Sequence, residues 1–542
     1  MEILRQGSTF DVCVIGSGPA GGFMAKELTE AGAKVLLLEA GAEVPPSQFA
    51  AHRWPYEYPL RGTHAERQGK FYPDAIAKHI AFTGDAVSVD RIRVLGGRST
   101  HWNAVCLRFS EDDFREGSIH GLEPDWPLTY QEIAPLYSYV ERIIGLVGTR
   151  ENLAALPDGE FYGPPPKMRC AETLSRKAGR TLGIPVIPVR KAMLHRRSAP
   201  GRMQCHFCGH CMQGCEVGAI FTSTNTLLPL ARATGNLTLR TNALVRRVET
   251  DTEGRATGVT FVDRTTRADQ TVSAKIVVVS CGAVESPRLL LNSATTRFPN
   301  GLANSSDLVG RYLTGHAVAQ FHGYVKPLMG RPPRNEDGAT DHAIVPRFRA
   351  IKAGRGYVGG FGAQLQYASR DYPHHARHLP GYGAAFKQRV RELQPALMQM
   401  GGYAKVLARR ENRVTVDPSR QDQHGIPIPR VEFTWCDNDR ALWTDMRATL
   451  EEIYHVTGTE LLVRDEQPMG FASHETGTCR MGADPKASVL NPFCQSHDIP
   501  NLFVVDGSAF VTFPEKNPTL TIMALAVRAA RYITEARRAG DL

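Results

Sequence analysis

The sequence predicts an α/β fold in which a Rossmann-type nucleotide-binding domain is split along the chain and an α+β domain, on a mainly antiparallel sheet, is inserted into it. Three observations predict this. Residues 10–15 (FDVCVI), a glycine-rich turn, a helix-like stretch to about residue 31 and residues 34–39 (KVLLLE) make strand, turn, helix and strand in close succession. Buried-strand runs return far downstream, at 275–280 (KIVVVS) and 501–506 (NLFVVD), ahead of an amphipathic helix over 518–537. Finally, 542 residues are too many for one hydrophobic core.

The intervening chain fits the same plan. Residues 236–250 and 257–263 alternate in the manner of half-buried strands. Residues 330–430 are rich in Arg, Gly and aromatics with weak periodicity, as in a curved sheet with long loops. The expected division is 1–315 plus 465–542 for the discontinuous domain and 316–464 for the inserted one, with an excursion at 200–225.

Composition narrows the function classes. Sixty-four Lys and Arg against 55 Asp and Glu give a net charge of +9, mild for this length. It fits docking to an acidic redox partner or a membrane surface, and no basic run is dense enough for nucleic acid. No apolar stretch approaches the length of a membrane span, so membrane attachment is expected only through a partner. Residues 1–10 lack a charged segment followed by an apolar one, so no export signal of the chain's own is expected. Of the 11 cysteines, four fall between Cys205 and Cys215, a clustering that points to a metal or redox site.

Each glycine of Gly16-x-Gly18-x-x-Gly21 has a physical task. Gly16 permits the tight turn out of the strand, Gly18 lets the backbone approach a pyrophosphate, and Gly21 lets helix and strand pack closely. The helix N–H groups then face the phosphates. Glu39, at the end of the second strand, is placed to accept from both ribose hydroxyls, and its charge disfavours a 2′-phosphate.

Further motifs sharpen the reading. Gly96-Gly97-Arg98-Ser99-Thr100-His101-Trp102-Asn103 resembles the glycine-rich flavin loop of the glucose–methanol–choline oxidoreductase family. Cys281-Gly282-Ala283-x-x-Ser286-Pro287 looks like that family's second signature. Asp125-Trp126-Pro127 is similar to a segment of its sugar dehydrogenases. His474-Glu475-Thr476-Gly477-Thr478 and Asp506-Gly507 with Asn517-Pro518-Thr519 follow in family order. The resemblance implies FAD rather than NAD, and oxidation of a primary or secondary alcohol. It implies flavin contacts from Gly96, Gly97, Ser99, His101, Trp102, Asn103, Val245, Asp506, Gly507, Pro518 and Thr519.

Alcohol oxidation by a flavin needs a base for the hydroxyl proton and a second polar group to orient the hydroxyl. By the family pattern His474 is the base and Asn517 its partner. Many members carry a second histidine where this chain has Asn517, which concentrates base catalysis on His474. Ser99-Thr100-His101-Trp102 resembles a context in which pyranose-oxidising relatives join histidine covalently to the flavin, whereas dehydrogenase relatives bind it noncovalently, so both states of His101 stay open.

Cys205-x2-Cys208-x2-Cys211-x3-Cys215 has the spacing of the bacterial ferredoxin run. Zinc usually draws two pairs across a longer spacer, and a redox disulfide needs only one Cys-x-x-Cys. An iron–sulfur cluster is therefore expected, with zinc and disulfides as alternatives. The other seven cysteines read as small buried hydrophobes. The window is similar to that of bacterial FAD sugar dehydrogenases with a 3Fe–4S centre. That likeness selects Cys205, Cys211 and Cys215, and leaves open Cys208 as fourth ligand of a 4Fe–4S cluster.

A hydride carries two electrons and a cytochrome takes one at a time, so a one-electron cluster between them implies a dehydrogenase. The resemblance implies a sugar or glycoside substrate, with the glucoside C3 hydroxyl favoured over glucose C1, fructose or sorbose. It further implies a cytochrome c acceptor and a small signal-bearing subunit that takes the chain to the periplasm, a cytoplasmic enzyme being the alternative. The rivals are an oxygen-using alcohol oxidase and a non-catalytic electron-transfer or assembly subunit that keeps its FAD.

Overall fold

The computed structural model describes residues 9–49, 80–85, 87–89, 92–209, 211–332, 341–352, 354–366, 376, 379–471 and 473–542. The expectation about an export signal rests largely on residues 1–8, which lie outside that set.

Seven of the sixteen described strands, numbered along the chain, form the first sheet: β1 (Thr9–Ile15), β2 (Val35–Leu38), β5 (Leu237–Arg240), β6 (Ala243–Thr250), β7 (Ala256–Asp263), β8 (Asp269–Val279) and β16 (Leu502–Val504). Their order is β5-β2-β1-β8-β7-β6, with β16 paired to β8. The pairs β1–β2, β1–β8, β2–β5 and β8–β16 are parallel, and β6–β7–β8 run antiparallel. The parallel centre reads as unbroken apolar runs because both of its faces are covered: all four residues of β2 are fully buried. The helices Pro19–Glu30 and Thr519–Ala539 pack on each other, which brings the two ends of the chain into one layer.

The second sheet holds β4 (Ile187–Pro188), β9 (His316–Val325), β10 (Ala343–Val345), β11 (Phe361–Gln366), β12 (Leu397–Lys405) and β15 (Thr459–Arg464). Its order is β15-β9-β12-β11-β10-β4, and every pairing is antiparallel. The amphipathic helix Asp437–Val456 covers this sheet, and its Trp443 Nε1 donates to the Val318 carbonyl at 2.8 Å. A third, smaller sheet joins β3 (Ala81–Gly84), β13 (Arg413–Gln421) and β14 (Pro427–Phe433). The fold is thus mixed α/β, with a largely parallel nucleotide-type sheet beside an antiparallel one.

Buried charges knit these layers together. Lys405, at the end of β12, is fully buried and ion-paired to Glu116 and, at 2.9 Å, to Glu123. Nearby, Asp113 accepts from Lys516 at 2.5 Å and from Arg347 at 2.9 Å. Burial pushes the Glu116 carboxyl up to about 7 against the pull of Lys405. Three of the seven scattered cysteines depart from expectation: Cys281 and Cys436 are half-buried, and the third is at the surface. Cys170 is exposed, because it opens the surface helix Cys170–Leu182 rather than filling a core; Cys13, Cys106, Cys479 and Cys494 are buried.

Candidate active site

One cavity takes in both Glu39 and His474 among its lining residues. In the Glu39 part of the wall, β1 breaks at Gly16, whose φ of +96° suits glycine and whose Cβ would stand 2.5 Å from the Ser280 carbonyl oxygen. A Cβ on Gly21 would lie 1.8 Å from the Gly16 carbonyl oxygen, so only glycine allows the helix Pro19–Glu30 this close to the strand. Glu39 is buried: Oε2 accepts from the Ser17 N–H at 3.1 Å and hydroxyl at 2.5 Å, and Oε1 from the Gly41 N–H at 2.8 Å. Burial raises its carboxyl pKa, opposed by these donors and by Arg93. The Gly96 N–H donates to Ser17 Oγ at 2.9 Å and so ties the second glycine loop to the first.

The cavity is lined by Gly16, Gly18, Glu39, Gly97, Ser99 and Trp102, and also by Val245, Asp506, Gly507, Pro518 and Thr519. Gly21, Gly96, His101 and Asn103 stand behind this wall: Gly21 and Gly96 shape the turns, and His101 is buried with Nδ1 3.3 Å from Thr100 Oγ1. Asp506 is held by the Gly282 N–H at 2.8 Å and the Ser286 hydroxyl at 2.6 Å. Ser280 Oγ, in the same wall, is buried with no hydrogen-bond partner among the described residues. A helix N-terminus, a buried carboxylate and an orphaned hydroxyl in the wall of one cavity form a donor and acceptor set that fits a dinucleotide.

His474 lies in a loop whose chain direction is set by its own N–H bond to the Phe471 carbonyl at 2.9 Å. Its Nδ1 is 3.0 Å from Nδ1 of His316, the first residue of β9, and its Nε2 is 3.3 Å from Asn517 Nδ2. His316 Nε2 is 2.8 Å from the Pro514 carbonyl oxygen, and Asn517 Oδ1 is 2.8 Å from Gln364 Nε2 on β11. Phe513 stacks on the His316 ring at 4.4 Å.

These contacts have only one consistent direction. A carbonyl only accepts, so His316 Nε2 carries the proton it shares with Pro514. Burial pushes the His316 pKa down to about 4, so the ring is neutral near pH 7 and its Nδ1 is a lone pair. His474 therefore donates from Nδ1, which leaves Nε2 as its basic nitrogen. Asn517 presents its amide N–H to that nitrogen and its oxygen to Gln364. Burial, then the neighbouring His316 and Arg98, hold the His474 pKa well below the usual histidine range. The arrangement keeps an unprotonated Nε2 beside an N–H donor at the cavity wall. His316 and Gln364 carry no motif, and sequence reasoning missed them.

The cysteine window sits beside the same cavity: the turn Cys211–Gln213 packs on the turn Gly97–His101. Cys211 is buried, Cys205 and Cys215 are half-buried, Cys208 is exposed, and none of the 11 cysteines forms a disulfide. Burial first, and then the Cys211 and Cys215 thiols, push Cys205 up to about 12; burial and Cys211 likewise raise Cys215. The three thiols thus act on one another electrostatically. Among the described residues the group with the convergence one ion demands is Glu116, His120 and Glu123, and its cation is the Lys405 ammonium.

Comparison with known proteins agrees with this geometry. The N-terminal GMC oxidoreductase model matches residues 11–318 and the C-terminal one residues 408–526. The chain is 34% identical to 2-methyl-1,2-propanediol dehydrogenase of Mycolicibacterium austroafricanum, over 98% of this chain and 96% of that one. It is 28% identical to the fructose dehydrogenase large subunit of Gluconobacter japonicus, over 96% and 97%. Pyridoxine 4-oxidase from Mesorbium loti shares the fold at a TM-score of 0.65 and 19% identity, over 96% of this chain and 99% of that one. With both family models matched in order across the chain, this protein belongs to the GMC oxidoreductase family.

Proposed function

We propose that this GMC oxidoreductase is a dehydrogenase of a sugar or glycoside hydroxyl, whose electrons leave through an iron–sulfur cluster to a cytochrome c. The observation that carries the catalytic half is the pairing of His474 Nε2, in the wall of a cavity suited to FAD, with Asn517 Nδ2 at 3.3 Å. Bound FAD supplies the acceptor for the hydride of the carbinol carbon. Asn517 donates a hydrogen bond to the substrate oxygen and so aims the C–H bond. His474 Nε2 takes the hydroxyl proton, and the low basicity imposed by burial keeps that nitrogen free at neutral pH. Because Trp102 rather than His101 faces the cavity, noncovalent FAD is the reading we favour.

Cys205, Cys211 and Cys215 would hold a 3Fe–4S cluster, with Cys208 as the added ligand if it is 4Fe–4S. Ligands of a cluster sit on different iron atoms, and the mutual influence of the Cys205, Cys211 and Cys215 thiols supports such a grouping. A bound cluster would supply one-electron transfer. A relative named as a large subunit and another named as the flavoprotein of gluconate 2-dehydrogenase support an assembly with partner subunits; that one of them is a small signal-bearing subunit taking the chain to the periplasm is part of the proposal.

The Ser99-Thr100-His101-Trp102 motif favours a ring secondary hydroxyl such as glucoside C3. A second reading, a short vicinal diol, is favoured by the 34% identical relative's named substrate. An anaerobic screen of FAD bleaching over sugars, glycosides and 1,2-diols tests both, followed by a comparison of cytochrome c with oxygen as acceptor. No bleaching by any of these classes would overturn the proposal.

A further inference from the structure

Arg98 enters the reading above only through its charge, yet it also touches both neighbours of His474. It follows Gly97, whose φ of +53° and approach to the Gly18 Cα (3.2 Å from a built Cβ) seat the second glycine loop against the first. From this turn the Arg98 Nη1 donates to the Ser473 carbonyl at 2.5 Å and stands 3.4 Å from Glu475 Oε2, a carboxylate whose side chain is fully buried. Ser473 holds a φ of +69°, a left-handed conformation that side chains other than glycine rarely adopt. Its carbonyl points where Arg98 can receive it. Arg98, Ser473, His474 and Glu475 all line the FAD cavity.

We propose that Arg98 is a positioning residue that clamps the His474 loop to the flavin loop and also supplies a fixed positive charge to the wall of the flavin cavity. The proposal rests on the reading of His474 as base. The clamp follows from geometry: at the tip of the long arginine side chain, Nη1 alone meets a carbonyl and a carboxylate on either side of the same histidine, a reach the shorter lysine side chain does not share. The charge follows from its surroundings. His474 is faced by neutral His316 from β9, by Tyr403 from β12 with ring centroids 5.9 Å apart, by Asn517, and by Arg98 and Glu475. Lys405 and Glu515 lie beyond His316. Among these, Arg98 is the cation that acts on His474 directly, and it opposes protonation of the ring. A cation in this wall also favours the more negative, reduced cofactor.

The test uses FAD-loaded Arg98→Gln and Arg98→Lys beside the parent and His474→Ala. Two quantities are read: the FAD midpoint potential without substrate, and the pH profile of anaerobic bleaching by substrate. Arg98→Gln should lower the potential and move the acid limb of bleaching upward by at least about half a pH unit, a roughly threefold change in the protonation constant. Arg98→Lys keeps the charge and loses the bridge, so its potential and acid limb should match the parent while bleaching slows at least about tenfold. An Arg98→Gln protein with unchanged potential and acid limb, or an Arg98→Lys protein bleaching at the parental rate, overturns the proposal. Should Arg98→Gln fail to retain FAD, Arg98→Lys decides alone by the same criteria. Normal bleaching by His474→Ala would defeat the base assignment instead, while the substrate-free potential would still judge Arg98.

Discussion

The Nδ1 atoms of His316 and His474 face each other at 3.0 Å with their rings at 90°. Two lone pairs or two protons at that distance repel, so one proton must sit between them, and the Pro514 carbonyl assigns it to His474. Without His316 nothing selects the tautomer with a bare Nε2. His316→Ala should therefore lower the rate of anaerobic FAD bleaching by about 10² with bound FAD retained, in line with what misplacing a catalytic proton costs elsewhere. Parental bleaching rates in that variant would sink the argument.

His474 itself is the sterner case. As the only titratable member of the pair with Asn517, it should cost at least about 10² in kcat/KM on replacement by alanine. FAD content and thermal unfolding should stay near the parent, because the cofactor contacts lie elsewhere along the cavity. Stopped-flow bleaching with the best substrate of the screen measures it, and near-normal turnover would show that another group takes the proton.

The same burial makes stability depend on pH. His316 has its pKa lowered from 6.5 to about 4, so between these values the unfolded chain binds the proton that the folded chain refuses. Stability from this group is thus complete above about pH 6.5 and declines as pH falls toward about 4, by up to about 3 kcal/mol. Melting temperatures across that window for the parent and for His316→Phe check the sign. Carboxylates contribute equally to both proteins, so the parent should lose more than the variant; identical slopes would rule the linkage out.

Why the cavity wall around Glu39 was legible and that around His474 only half so is a matter of sequence distance. Gly16, Gly21 and Glu39 act through a turn and the two strands it joins, so their spacing is the message. His474 and Asn517 were legible through motifs. His316 and Gln364 lie 158 and 153 residues from their partners, on strands β9 and β11 of the other sheet, and no local pattern records a meeting made by tertiary packing. His101 and Trp102 show a second limit. They are adjacent, and which of them faces the cavity depends on how the turn Gly97–His101 ends, with Trp102 extended and its Nε1 bound to the Phe221 carbonyl at 2.8 Å. The strands at 275–280 and 501–506 were legible because burial on both faces leaves an unbroken apolar run, and they pair as β8 and β16.

Lys405 offers a prediction about the scaffold. It is fully buried between Glu116 and Glu123, with Asp113 and Lys516 close by. Lys405→Met fits the space but leaves two carboxylates without their cation, and should cost about 3–5 kcal/mol in urea unfolding. Adding Glu116→Gln to Lys405→Met should recover part of the loss, since it removes one of the stranded charges. A single variant as stable as the parent would mean that water already reaches this cluster.

The cysteine window yields the prediction that separates an electron relay from a structural knot. If Cys205, Cys211 and Cys215 hold a cluster, the protein purified without oxygen carries iron and acid-labile sulfide, and Cys211→Ser or Cys215→Ser loses both. Because the turn Cys211–Gln213 only abuts the flavin loop, FAD should stay bound and substrate should still bleach it. Reduction of cytochrome c should fail, since the reduced cofactor then lacks a one-electron exit. Cys208→Ser distinguishes the cluster types: its side chain is exposed while Cys211 is buried, so a 3Fe–4S centre should survive its loss with iron content unchanged, whereas a 4Fe–4S centre should lose iron. One zinc per chain and no iron in the anaerobic preparation would refute the relay and return the window to a structural role.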